Sequence, residues 1–319
     1  MITDGPFYDE LTVGMVIPAL PGVTFTEADN VLYRAITGDQ HRPSCDASVF
    51  AAMGGEGTLV NPGLVMQYAV GQSTGATRRA IANLYYRSVR IHRPVLVGET
   101  LTTVTTVLGL SDASPTKDGV GRGKVWLGME SRTAVGVVVT TERCALLPCR
   151  SAGSPGHGSE IPGPSGASDL QSYVDILPGW ELSVLPSVSW EVGEERADPM
   201  RDHIDLAAPL ARMTFNQALL HRDHTRTAYG QRLVYGGHVQ GLAQASLSRM
   251  LPGLATVMGW DGCDHLGPAF EGDLLAFRHV LVDALDTPKG RIMRFEVKGR
   301  KFPDDEADIL KWTAVVLAP

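Results

Sequence analysis

Two short polar stretches carry the residues best suited to chemistry. The first reads Thr37-Gly38-Asp39-Gln40-His41-Arg42-Pro43-Ser44-Cys45-Asp46, the second Thr214-Phe215-Asn216-Gln217-Ala218-Leu219-Leu220-His221-Arg222-Asp223-His224. Aligning Ser44-x-Asp46 with His221-x-Asp223 sets Asp39 opposite Asn216, each five positions before its partner. His221 can give and take a proton near neutral pH. Asn216 exchanges no proton but can hold a water or a hydroxyl. Further on, Tyr235-Gly236-Gly237 precedes an apolar helical stripe. Its glycines would let a carbonyl approach the backbone N–H groups at the positive end of a helix dipole, an oxyanion site with Gly237 as donor. Asp223, Tyr235, Gly236 and Asp39 are the further candidates for touching a substrate. Asp46 and Asp223 also read as helix N-caps, and Asp39 as an Asx-turn residue. His221, Asp223, His224 and His238 match no known metal-ligand spacing, so no metal is expected. His265 either lines a pocket or sits at a strand entry without a role.

These residues lie in a chain that repeats itself. Leu59-Val60-Asn61-Pro62-Gly63-Leu64-Val65 returns as Leu233-Val234-Tyr235-Gly236-Gly237-His238-Val239, and Pro94 to Leu101 returns as Pro268 to Leu275. Both pairs keep one offset of 174 positions, which argues for a duplicated domain. The expected division is a first repeat over residues 1–150, a Gly/Pro/Ser-rich linker over 151–169 and a second repeat over 170–319. Each repeat reads as an extended lead-in (Met15–Thr26; about Leu182–Val192), a short helix, the polar loop, a long buried helix and antiparallel strands. Thr26 is the candidate N-cap of the first short helix, and Asp205–Thr214 is its counterpart. The long helices begin near Pro62 and at Gly237. The strands are expected at Glu99–Leu108, Lys124–Thr133 and Val137–Leu147, then Asp273–Val282, Arg291–Lys298 and Ile309–Leu317. A sheet wrapped around a helix, used twice, is an α+β architecture.

Composition narrows the setting. The 319 residues are 44 % hydrophobic and 20 % charged, as in globular proteins. A net charge of −7 without a long basic run argues against a nucleic-acid partner. The four cysteines form neither a C-x-x-C nor a zinc spacing, and the N-terminus lacks a signal-peptide pattern. No apolar run is long enough for a bilayer, so a cytoplasmic protein without a membrane partner is expected.

Here the chain resembles the MaoC-like hydratases and dehydratases, which have the hotdog fold. The likeness rests on the two loops, on Thr26-Glu27-Ala28-Asp29-Asn30-Val31-Leu32, on Asn61-Pro62-Gly63-Leu64-Val65, on Arg232 to Val239 and on Phe270-Glu271-Gly272-Asp273. It is nearest to the double-hotdog branch that includes mesaconyl-CoA hydratases. The resemblance implies a double hotdog that hydrates or dehydrates a small enoyl or 3-hydroxyacyl thioester, on CoA or a carrier protein, without a cofactor. In that family an Asp and a His five apart flank the reacting water. This chain keeps Asp39 but has Ser44 in the first loop, and keeps His221 but has Asn216 in the second. The second repeat is therefore expected to be active, with His221 working largely alone, and the first to be degenerate. A repurposed hotdog enzyme (cyclisation, Michael-type addition or isomerisation) and a non-catalytic binding protein are the rival readings. A homodimer of such double units is left open.

Overall fold

The computed structural model describes residues 4–164, 166–303 and 307–319. Met1–Thr3 of the N-terminus and Ser165 of the expected linker lie outside them. Twelve strands are present among the described residues: β1 (Val16–Ile17), β2 (Val23–Thr24), β3 (Ala82–Ile91), β4 (Thr100–Ala113), β5 (Arg122–Thr133), β6 (Gly136–Pro148), β7 (Glu195–Ala197), β8 (Asp202–His203), β9 (Thr256–His265), β10 (Leu274–Thr287), β11 (Gly290–Lys301) and β12 (Asp308–Ala318). The helices are α1 (Glu27–Thr37), α2 (Arg42–Cys45), α3 (Ala47–Ala52), α4 (Pro62–Ser73), α5 (Ala207–Met213) and α6 (Gly236–Met250).

All strands join one antiparallel sheet in the order β1-β4-β5-β6-β3-β9-β12-β11-β10-β7, with β2 beside β4 and β8 beside β10. The order reads the same from either edge once the repeats are exchanged. The seam is β3 against β9, in the register Tyr86↔Cys263, Arg87↔Gly262, Val89↔Trp260 and Arg90↔Gly259. A Cβ at Gly259 would strike the Val89 carbonyl, so the seam requires a residue without one there. Each half-sheet wraps its own long helix, the α+β double hotdog that the resemblance implied.

Why these elements form is local. The Asp29 carboxylate accepts from the Thr26 amide at 2.8 Å and its hydroxyl at 2.6 Å, fixing the start of α1. Gly38 ends α1 in the left-handed region at φ 70°. At the matching place after α5, Phe215 takes φ 58°, a strained choice for a residue with a side chain. All twelve residues of α4 are buried, as its nearly apolar surface requires. The largest core cluster draws on both repeats, from Phe25 and Leu64 to Trp312 and Val316. The sequence read an extended segment over about Leu182–Val192, but Leu182–Val184 form a turn of 3-10 helix and the edge strands begin only at Glu195. The strands β3 and β9 were not expected, because Asn83, Gly259, Asp261, Gly262 and Asp264 disfavour strands on their own. They persist because they pair with each other and close the seam.

The Gly/Pro/Ser-rich segment is held against the sheet rather than looping free. Ser159 N–H donates to the Leu110 carbonyl at 2.8 Å, and Ser168 Oγ donates to Asp261 at 2.6 Å.

The two repeats interlock where α4 meets the loop after α5. A Cβ at Gly71 would collide with the Thr214 carbonyl. Gly71→Ala should therefore destabilise the fold by about 1–3 kcal/mol, the usual range for overpacking. Denaturant unfolding of the variant checks this; an unchanged midpoint would show that the contact is loose.

Candidate active site

The loop that follows α5 is seated on the other repeat. Gln217 N–H donates to Thr74 Oγ1 at 2.8 Å, and Leu219 N–H donates to the Arg78 carbonyl at 3.0 Å. The left-handed turn at Phe215 then points the chain so that Asn216 Oδ1 accepts from Ala218 N–H at 2.9 Å, closing an Asx turn. A single turn of 3-10 helix over Leu219–His221 brings the imidazole round. Its Nδ1–H donates to the Leu233 carbonyl at 3.1 Å, since a carbonyl can only accept. That bond fixes the tautomer and leaves Nε2 as the basic nitrogen.

His221, Asn216, Tyr235, Gly236 and Gly237 line one cavity of about 620 Å³. The rings of His221 and Tyr235 lie 5.5 Å apart at 52°. Tyr235 in turn abuts Gly237, where an added Cβ would strike its ring and the Gln67 carboxamide. At Gly236 a Cβ would strike the His265 ring. Both glycines are thus required by close approach. Gln67 Nε2 also donates to the Gly237 carbonyl at 2.8 Å, so α4 of the first repeat fixes the first turn of α6. No side chain caps the start of α6, because its N-cap is Tyr235. Gly237, in the cavity wall, therefore sits at a helix N-terminus without a capping side-chain oxygen.

Burial sets the electrostatics. It pushes the His221 imidazole down to about 4, with the Arg143 charge acting in the same direction and the Leu233 bond opposing it. His265, also in the cavity wall, is pushed to about 4 by burial, then by His221 and Arg143. Both rings are neutral at neutral pH. Burial holds the Tyr235 phenol well above its usual value, with Asn216 beside it.

The corresponding place in the first repeat is filled. Ser44 stands for His221, His41 for Ala218, Asn61 for Tyr235, and Gln244 of α6 for Val70 of α4. Asp39 is fully buried and accepts from His41 N–H (3.0 Å), Asn61 Nδ2 (2.9 Å), Gln244 Nε2 (2.8 Å) and Ser248 Oγ (2.6 Å). His41 is tied to Ser44 Oγ at 2.9 Å and the Ala255 carbonyl at 3.0 Å. The Gly63 N–H, counterpart of Gly237, is capped by Asn61 Oδ1 at 2.8 Å. Where the first repeat spends its polar groups on one another, the second has Ala218 and Val70 in the wall of a hollow.

Of the residues singled out from sequence, His221, Asn216, Gly237, Tyr235 and Gly236 come together. Asp39 and Asp223 do not, and neither is in the cavity wall. All of Asp39's acceptor capacity goes to its buried network. Asp223 caps the next turn by accepting from Thr225 N–H at 2.9 Å and Thr225 Oγ1 at 2.7 Å. The sequence reading passed over Asn83, Tyr86 and Arg143, which reach the cavity from β3 and β6 of the first repeat. The signal for Arg143 was present: it stands in register with Val139, Thr141, Ala145 and Leu147 on the buried face of β6. His265 was weighed and lines the cavity.

Residues 10–126 match the MaoC like domain. Mesaconyl-CoA hydratase from Cereibacter sphaeroides is 26 % identical over 300 residues, spanning 89 % of this chain and 85 % of its own. Beta-methylmalyl-CoA dehydratase from Chloroflexus aurantiacus is 26 % identical over 306 residues, spanning 85 % and 80 %. A conserved hypothetical protein from Mycobacterium tuberculosis, described as a double hotdog fold, is 33 % identical, spans 98 % of both chains and superposes with a TM-score of 0.85. The chain belongs to the MaoC-like family, in its double-hotdog form.

One consequence is measurable without a substrate. Burial pushes His221, His238, His265 and His279 each to about 4, against 6.5 for a free imidazole. Between those values the unfolded chain takes up protons that the folded chain refuses, so stability is present above pH 6.5 and is lost as pH falls toward 4. Each ring contributes a slope of up to about 1.4 kcal/mol per pH unit. Unfolding free energy measured across this window should drop steeply, and His221→Phe should flatten the slope; a flat wild-type profile would contradict the burial of these rings.

Proposed function

We propose that this protein reversibly adds water to a small 2-enoyl thioester, or removes it from the 3-hydroxyacyl form. The two named relatives are, by name, a hydratase and a dehydratase of CoA thioesters. Among the described residues no helix is long and apolar enough to cross a membrane. The observation that carries the reading is the meeting of a neutral imidazole and an uncapped helix N-terminus in one cavity.

In the hydration direction, the thioester carbonyl rests on the Gly237 N–H, and α6 stabilises negative charge there. The Asn216 side chain, its Oδ1 engaged with Ala218, offers its amide to the attacking water. His221 Nε2 removes a proton from that water as the oxygen bonds to Cβ, and the electron pair of the C=C moves onto the thioester oxygen. The enolate then collapses, and the imidazolium returns its proton to Cα. One water is consumed and the imidazole is regenerated. Dehydration runs these steps backward. Tyr235 and Gly236 shape the wall against which the acyl group lies. The second repeat is the working half and the first a filled relic, with the repeats joined through 151–169. CoA and a carrier protein both present such a thioester, the cytoplasm suits either, and a homodimer is compatible with the sheet edges.

His221→Ala should lower kcat by about 10²–10⁴, the scale of one general acid/base, with circular dichroism unchanged. Near-normal turnover of a confirmed thioester substrate by this variant would overturn the assignment. The wild-type kcat/KM should hold level from neutral pH down toward 5 and fall with an apparent pKa of about 4, because the neutral form of His221 is the base. A midpoint near 6.5, the value of a free imidazole, would place the working base elsewhere.

A further inference from the structure

The cavity wall holds a second imidazole, His265, that the hydration steps do not use. It is the last residue of β9, and the constant offset of the repeats sets it opposite Ile91, the last residue of β3. The helix starts differ as well: Gly236 opens α6 where Pro62, which has no N–H, opens α4. Without a side chain at Gly236 the His265 ring lies on the helix start itself. A Cβ there would come within 2.5 Å of its Nε2 and 2.6 Å of its Cε1. The ring is half-buried and lines the cavity, whereas Ile91 is buried. Its hydrogen bonding sets it apart from His221. The latter spends Nδ1–H on the Leu233 carbonyl, which prepares Nε2 as a base. Among the described residues no group bonds either nitrogen of His265. A neutral imidazole carries one N–H and one lone pair, so this N–H has no protein acceptor.

Burial, then the neighbouring His221 and Arg143, keep the His265 ring neutral down to about pH 4. Once His221 has taken a proton from water, a second positive charge beside it costs still more. His265 therefore keeps its N–H through turnover and neither gains nor loses a proton. A neutral imidazole at a helix N-terminus is a form that polarises a carbonyl. The developing enolate oxygen is best held by more than one donor, and the Gly237 amide is one. We infer that His265 is a catalytic residue: its N–H donates to the thioester oxygen alongside the Gly237 amide. The bond strengthens as negative charge moves onto that oxygen. No covalent bond to this imidazole forms or breaks, and the proton balance stays with His221. The inference rests on the hydration reading and adds a donor to its machinery.

The full chain is assayed with crotonyl-CoA, 2-hexenoyl-CoA, tiglyl-CoA and fumaryl-CoA, and the thioester turned over fastest, or bound tightest if none is turned over, is carried forward. His265→Phe keeps a ring on Gly236 without a donor, and His265→Ile copies the first repeat. Each should lower kcat by about 10²–10³, the scale of one oxyanion-hole donor, with KM little changed. His265→Gln, which restores an N–H, should recover part of the loss. The second readout is the infrared stretch of that thioester's carbonyl, labelled with carbon-13 and bound to His221→Ala so that nothing is consumed. Loss of a donor raises the frequency, so adding His265→Phe should move the band upward and adding His265→Gln should move it less. Wild-type kcat in His265→Phe overturns the donor role, and the hydratase reading, tested by His221→Ala, stands. A lowered kcat with an unmoved band overturns it too, because packing then accounts for the loss. If no thioester is hydrated but the band answers to His265, the donor role stands and the hydratase reading fails. If none binds, both fail. His265→Ile decides the matter if His265→Phe does not fold.

Discussion

A helix that begins inside a protein presents N–H groups that must find an acceptor, and the whole asymmetry of this molecule follows from how its two long helices meet that demand. At α4 the acceptor is internal: Asn61 Oδ1 takes the Gly63 N–H. At α6 the residue in that place is Tyr235, whose side chain cannot fold back onto the helix start, so Gly237 keeps its donor. The exchange of Asn61 for Tyr235 thus separates a satisfied helix start from one that a ligand's oxygen can complete.

The surrounding exchanges act in the same sense. Gln244 reaches Asp39 and Asn61 from α6, whereas its counterpart Val70 offers only a methyl-lined wall. His41 fills space that Ala218 leaves empty. A buried polar network is stable when every member is paired, and Asp39 with its four donors is such a network. The second repeat has instead an imidazole, a carboxamide and an uncapped amide around a hollow. The first repeat is not idle: α4 seats the Asn216 loop through Thr74 and Gly71, Gln67 holds the Gly237 peptide, and β6 brings in Arg143. Neither half would make this site alone, which is a physical reason for the duplication to persist as a single chain.

Much of this was legible before any coordinates. The constant offset between the Asn61–Gly63 and Tyr235–Gly237 segments announced the duplication, and the mostly apolar run after Pro62 announced a helix buried on most sides. That Asn216 stands five positions before His221, opposite Asp39, followed from aligning the two loops, and the role this suggests followed from the family resemblance. What stayed hidden depends on long-range contact. β3 and β9 carry Asn, Gly and Asp, which have no local preference for strands and are held by the seam. Arg143 stood on a buried register, but nothing local says that it opens into the other repeat's cavity. Asp39 looked like a substrate ligand because its spacing matched; only packing shows that two donors from α6, with His41 and Asn61 of its own repeat, take up its carboxylate.

The central claim is that one of two equivalent helix starts is free to receive an acyl oxygen. It is tested most directly by a crystal structure with an unreactive acyl thioester bound. The account requires the carbonyl oxygen within about 2.7–3.1 Å of the Gly237 nitrogen, His221 Nε2 facing the acyl chain, and no ligand near Gly63. A carbonyl seated on the Gly63 amide, or a thioester bound away from both helix starts, would contradict it.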